Sequence, residues 1–244
     1  MAAMPDRRRH RGPHPRDEEH FAPAKLPLLR TAAADLAWLL SRGYPGKAAV
    51  KLVGDRFALT VRQRTALQRA TVGDAVRDRR LEGRVELGAA RGRTLLVDGY
   101  NVLLSVESAL GGGIVLGARD RTFRDLASMK GHYKRVDETR AALELLGGYL
   151  GELGCARVDW FLDRPISNSG RLRKLMLGIA AERGWPWTVG LAASPDRVLA
   201  AGGELVATAD GWILDQGVRW LNLARRVIED RVPDAWVVDL FAAE

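Results

Sequence analysis

The chain predicts an α/β protein: a parallel five-stranded sheet flanked by helices, preceded by a small all-helical module. Three observations carry this. From residue 94 onward, apolar strand-like runs alternate with helical stretches, the pattern of a parallel sheet with crossover helices. Residues 25–75 show helical spacing broken by tight turns and no strand-like run. The charge changes at the same place. Residues 1–90 carry 18 Lys+Arg against 10 Asp+Glu, a net of +8, whereas residues 91–244 carry 20 against 20.

Residues 1–24 are polar, non-periodic and rich in Pro, Arg and His, and are expected to be a disordered tail. Three of the four histidines, His10, His14 and His20, fall there, which fits incidental residues better than metal ligands. In the module of residues 25–75, Leu28, Leu29, Ala32, Leu36, Leu39 and Leu40 recur at helical spacing up to Gly43. Pro45 opens a short second helix ending at Gly54. Thr60 and Gln63 form a capping box ahead of a third helix that carries Arg62, Arg64 and Arg69. Two readings of these arginines stand side by side: contact with phosphates, or a solvated helix face. Residues 76–93 read as a charged linker with a short strand at RVEL.

The α/β domain spans residues 94–244. Its strands are expected at TLLVD (94–98), VDWFLD (158–163), PWTVGLA (186–192), ELVATA (204–209) and AWVVDLF (235–241), with helices near 136–153, 170–183, 195–201 and 217–230. No apolar run approaches the roughly 18 residues a membrane span needs. The start lacks an apolar signal region. The single Cys155 excludes an internal disulfide framework and an all-Cys zinc site, so a reducing cytoplasmic setting is expected. A basic appendage on a neutral body points to a polyanionic partner, most often nucleic acid; the plainer alternative is solubility. Oligomeric state has no signature here.

In an open parallel sheet, ligands bind at the carboxyl ends of the strands. The first strand ends at Asp98, the second at Asp163, the helix after the third opens with Ser194-Pro195-Asp196, and the fourth runs into Thr208-Ala209-Asp210, with Asp215 close behind. Singly each acid has a plain role, such as a helix start, a surface pair or a turn. Together at one edge they repel, and a divalent cation such as Mg2+ relieves that.

DGYN after an apolar strand, an Asp ending the second strand, the helix-opening Asp of SPDRVL and then VATADGWILD resemble the PIN-like and NYN nuclease superfamily over residues 94–241. More narrowly, the order of basic helical module and then this domain resembles an uncharacterised prokaryotic two-domain family. The resemblance implies a PIN-like (Rossmann-like) sheet and a Mg2+- or Mn2+-dependent endoribonuclease in which Asp98, Asp196 and Asp210 are the catalytic acids. Asp163 and Asp215 would add to the metal-binding set. Asn101 would orient Asp98 or touch substrate, and Thr208 would support the loop. The superfamily's Glu on the helix after the first strand has no single match: Glu107, Asp137 and Glu138 are candidates.

Two segments suit the substrate. Residues 119–140 interleave positive charge with aromatic residues, with Lys130, His132 and Tyr133 as candidate contacts to single-stranded nucleic acid; a solvated loop and helix start is the alternative. Arg164, Ser167, Ser169 and Arg171 precede or open the helix after Asp163, where free N–H groups and basic side chains suit a phosphate; an ordinary helix cap is the alternative. Walker A and GxGxxG motifs are absent. Two further function classes stay open: a non-catalytic nucleic-acid-binding module of this fold, and a metal-dependent phosphatase.

Overall fold

A computed structural model describes residues 10–126, 133–201 and 203–242. Helix α1 (Asp17–His20) starts the described chain, followed by α2 (Leu26–Ser41), α3 (Gly46–Arg56), α4 (Val61–Ala70) and α5 (Asp74–Glu82). The apolar face of α2 is buried through Leu29, Ala32, Ala33 and Leu36. Pro45 is the N-cap of α3. The capping box of α4 is present as expected: Gln63 Oε1 accepts from the Thr60 amide at 3.0 Å while the Thr60 side chain accepts from the Gln63 amide.

Two expectations for this region are corrected. Residues 10–24 are no loose tail. Asp17, His20 and Phe21 are buried, and Arg62 reaches across from α4 to pair with Asp17. A buried carboxylate needs such a partner, and it comes from 45 positions away, invisible to local composition. Nor are residues 76–93 a mere linker. They hold most of α5 and a 3-10 turn at Leu87–Ala90, and in place of a RVEL strand Arg84 makes a single bridge to Trp220.

The α/β body opens with β1 (Thr94–Asp98) and α6 (Gly99–Leu110). A hairpin-like pair follows, β2 (Val115–Gly117) and β3 (Phe123–Asp125), then α7 (Glu138–Leu153), β4 (Arg157–Asp163), α8 (Ser169–Arg183) and β5 (Trp187–Ala192). The chain continues through α9 (Pro195–Ala201), β6 (Leu205–Ala207), α10 (Gly211–Asp215), β7 (Trp220–Leu221), α11 (Leu223–Arg231) and β8 (Val237–Asp239). The main sheet is parallel, in the order β5-β4-β1-β6-β7. The chain winds outward on one side of β1 and then on the other, so the crevice between β1 and β6 is the topological switch point where such sheets bind ligands.

The five parallel strands expected from the alternating pattern are therefore present, with one exchange. Residues 235–241 do contain a strand, but β8 pairs with β2 in a second, three-stranded sheet. The fifth place in the main sheet belongs to Trp220–Leu221, too short to show a period of its own. Accordingly α11 starts at Leu223 and not near 217.

The second sheet joins the two halves of the chain. Leu116 of β2 and Val238 of β8 share one buried cluster with Leu29, Leu36 and Leu67 of the helical module. The tail adds a second tie. Arg11 Nε donates to Glu107 Oε2 at 2.6 Å, and Glu107, on α6, is completely buried. Burial pushes the Glu107 carboxyl up, while Arg11, Thr139 and Tyr133 pull the other way. Arg11→Ala would strand this charge, with an expected loss of about 3 kcal/mol in urea unfolding, typical of a buried pair broken on one side. A loss below about 1 kcal/mol would mean that the tail merely lies on the surface.

Candidate active site

Asp98 ends β1 and is the N-cap residue of α6, yet its side chain caps nothing. Instead, Oδ2 accepts from Thr208 Oγ1 at 2.8 Å, across the switch point. Gly99 makes this geometry possible: a Cβ there would meet the Phe161 carbonyl oxygen at 2.7 Å and Leu162 Cδ2 at 2.5 Å. In the first turn of α6, Asn101 Oδ1 accepts from the Ala209 amide at 2.7 Å. Thr208 Oγ1 also accepts from the Asp210 amide at 2.9 Å, and Asp210 Oδ1 takes the amides of Trp212 and Ile213 at 2.8 and 3.2 Å, capping α10. The β1–α6 and β6–α10 turns are thereby laced together through Asp98, Asn101, Thr208 and Asp210.

Charge accumulates in that lacing. Burial pushes the Asp98 carboxyl up to about 7, and Asp210 and Asp196 add to the rise against the hydrogen bonds from Thr208 and the Asn101 backbone. Asp196, in the first turn of α9, is raised by partial burial and by Asp210. Asp163, at the end of β4, is raised by partial burial and by Asp196. Four of the five expected acids thus feel one another in sequence along the sheet edge. They are not drawn together tightly: among the described residues, no group of three or more His, Cys, Asp or Glu side chains is close enough to hold a metal ion.

Asp215 leaves the set. Its carboxylate is held by Arg80 at 2.8 and 3.0 Å, with Arg79 at 3.6 Å, so α10 turns it toward α5 and not toward Asp98. None of the three candidates for the extra Glu joins the edge set. Glu107 is buried against Arg11, Tyr133 and Thr139, and His10 sits beside Asp137 and Glu138.

The substrate candidates divide. Lys130 and His132 lie outside the described residues. Tyr133 cannot stack on a base: its ring is buried and its hydroxyl donates to Glu107 at 2.6 Å. Ser169 is buried as well, its Oγ within 2.6 Å of the Asp163 and Ile166 carbonyls and 2.8 Å from the Tyr100 hydroxyl, so it locks the β4–α8 turn. Arg164, Ser167 and Arg171 are exposed. Arg171 lines a cleft of about 330 Å3 with Lys134 and Arg135. Of the module's arginines, Arg62 is committed to Asp17 of the N-terminal segment and Arg64 to Asp55 within the module. Arg69 donates to the Asp125 carbonyl at 2.7 Å and, with Gln68, forms one wall of a cleft of about 420 Å3 opposite Asn101 and Asp210. Arg80 and Arg124 complete that cleft; Arg80 pairs with Asp120 and Asp215, both distant in the chain, whereas Arg124 pairs with Asp120 four residues before it.

Residues 87–226 match the family model of a domain of unknown function, DUF5616. The chain belongs to the DUF5616 family. A second model, a protein of unknown function, DUF434, matches residues 28–82. An uncharacterized protein of Methanocaldococcus jannaschii is 30% identical over 149 residues, which is 60% of this chain and 70% of that protein. No solved structure matches the chain. The DUF5616 segment contains all four edge acids, from Asp98 to Asp210. The cleft beside Asp210 is shared, with Gln68, Arg69 and Arg80 coming from the DUF434 segment.

Proposed function

We propose that the protein is a metal-dependent endoribonuclease acting at the crevice between β1 and β6. The observation that carries this reading is Asp98: a buried carboxylate at the switch point, pushed up to about 7 by burial and by Asp210 and Asp196. The resemblance of DGYN, SPDRVL and VATADGWILD to PIN-like and NYN nucleases supports it. The donor chemistry suits Mg2+ or Mn2+, which are hard cations that take carboxylate oxygens. The spread of the acids suits them too, because Mg2+ is commonly held by one or two carboxylates plus substrate phosphates. One or two of Asp98, Asp196 and Asp210 would hold the ion directly, and the remaining acids, with Asp163, would border it. Bound there, the cation would neutralise the acids and stabilise charge at the phosphodiester.

The protein's own groups set up that site. Thr208 fixes the rotamer of Asp98 by donating to one oxygen. Asn101 holds the Ala209 amide and so the loop that carries Asp210. Exposed Arg164 and Arg171 offer phosphate contacts beside Asp163. No helix among the described residues is long and apolar enough to cross a membrane, and a cytoplasmic setting fits the single unpaired Cys155.

A second reading, a nucleic-acid-binding module without catalysis, draws on the looseness of the acidic set. One experiment separates the two. Labelled single-stranded RNA is incubated with Mn2+ and wild type, Asp98→Asn or Asp210→Asn. Asparagine caps helices as well as aspartate does, so Asp210→Asn keeps α10 capped. Cleavage by wild type with at least a hundredfold loss in both variants supports the nuclease. Equal cleavage by all three indicates a contaminant, and binding without cleavage favours the module.

A further inference from the structure

A third charged cleft lies beyond β7. It encloses about 740 Å3 and is lined by Arg84, Arg121, Asn222, Arg225 and Arg226, with Glu86 and Glu229 as its acids. Four guanidinium groups against two carboxylates leave it net positive. Its place in the fold follows from register. Val97 pairs with Ala207 and Ala207 with Leu221, so the next residues, Asp98, Thr208 and Asn222, form one row across the sheet edge. At about 4.8 Å per strand, Asn222 stands about 10 Å from Asp98.

The cleft is built and not merely decorated. Arg225 is pinned from three sides: Nε donates to Glu229 Oε1 at 2.8 Å, Nη1 donates to the Arg121 carbonyl at 3.0 Å, and the guanidinium lies 4.7 Å from the Phe123 ring centroid. Asn222 Nδ2 donates to the same carbonyl at 2.7 Å. These two bonds hold Arg121 at a φ of +65°, a left-handed conformation that costs most residues free energy and that glycine would adopt more easily. An arginine kept in a strained turn, facing a cleft, implies a use for its side chain. Among the described residues neither Arg84 nor Arg121 makes an ion pair, and Arg226 has only long ones to Glu229 and Asp230, at 3.6 and 3.9 Å. The first turn of α11 carries no acid, and Asn222 gives it no side-chain cap, so its amides add to the positive field.

We propose that this cleft binds phosphate groups, as a site distinct from the carboxylate edge and independent of whether that edge catalyses. Guanidinium forks match phosphate oxygens, and a row of cations next to a row of acids would hold a phosphate-bearing ligand at a fixed distance from Asp98. The phosphates could come from a nucleic-acid backbone or from a small phosphorylated molecule.

The test uses the full chain in EDTA, so that cleavage plays no part. Binding of a fluorescent single-stranded RNA, and of pyrophosphate by calorimetry at fixed ionic strength, is measured for wild type, for Arg84→Glu/Arg226→Glu, and for Lys25→Glu/Lys47→Glu, which changes net charge equally at exposed positions elsewhere. The cleft reversal is expected to weaken binding at least tenfold and the control less than threefold. Loss of both probes identifies small phosphates as sufficient ligands, and loss of RNA alone identifies the polymer backbone. Arg121→Gly is expected to raise Tm by relieving the left-handed residue while weakening binding, which separates recognition from folding. Equal losses in cleft and control variants, or no binding of either probe by wild type, would overturn the proposal.

Discussion

Asp98→Asn is expected to stabilise the protein at neutral and alkaline pH and, under the proposed nuclease function, to remove cleavage. In the unfolded chain an aspartate titrates near 4, whereas in the fold Asp98 titrates at about 7. Between those values the folded state binds the extra proton, so wild-type stability falls as pH rises from about 4 through about 7. Three pKa units at about 1.4 kcal/mol each set an upper scale of about 4 kcal/mol, and a gain of about 2 kcal/mol at about pH 8 is a realistic expectation after local relaxation. The amide keeps an oxygen to accept from Thr208 Oγ1, so the lacing survives. Urea unfolding at about pH 5 and about pH 8 reads this directly: the wild type should lose stability between them and the variant should not. Millimolar Mn2+ should restore the wild type at the higher pH and leave the variant unmoved. A variant no more stable than wild type at about pH 8 would show that Asp98 carries no such stored repulsion.

Much of this edge was legible because a parallel sheet turns sequence order into spatial order. Each of Asp98, Asp163, Asp196 and Asp210 ends a strand or opens the helix behind one, so recognising the strands already placed the acids together. Asp215 broke the rule because nearness in sequence to Asp210 is not nearness in space: α10 rotates it toward Arg80, 135 positions away. Tyr133 failed for a related reason. Its neighbours suggested an exposed basic loop, but its hydroxyl answers a buried carboxylate on α6. The tail, the supposed linker and the two-residue β7 were all misjudged where long-range contacts, and no local pattern, decide the structure. The arginine cleft beyond β7 was hidden in the same way, since its four arginines come from three separate stretches of chain.

Arg80→Ala should be the most destabilising change at an ion-paired residue, at about 3–5 kcal/mol. Arg80 is buried on α5 and joins three separate elements. Nη1 donates to Asp120 at 2.7 Å, Nε and Nη2 grip Asp215, and Nη2 also donates to the Gly211 carbonyl at 3.1 Å. Its own carbonyl accepts from Trp220 Nε1 at 2.6 Å. Asp120 is wholly buried; burial would raise its pKa, but Arg124, Thr122 and Arg80 outweigh that and hold it at about 2. That stabilisation is present above about pH 4 and is lost as pH falls through about 2. Alanine would leave Asp120 with Arg124 and Thr122, leave Asp215 with only its long contact to Arg79, and free the Gly211 carbonyl, loosening the turn that presents Asp210. Lysine should rescue little, because one ammonium cannot span two carboxylates and a carbonyl as a planar fork does. Arg80→Met with Asp120→Asn should recover part of the loss by removing the stranded charge. Urea midpoints at about pH 7 decide the matter: a cost below about 1 kcal/mol for Arg80→Ala would mean that the shared apolar cluster, and not this arginine, fixes the helical module against the acidic edge.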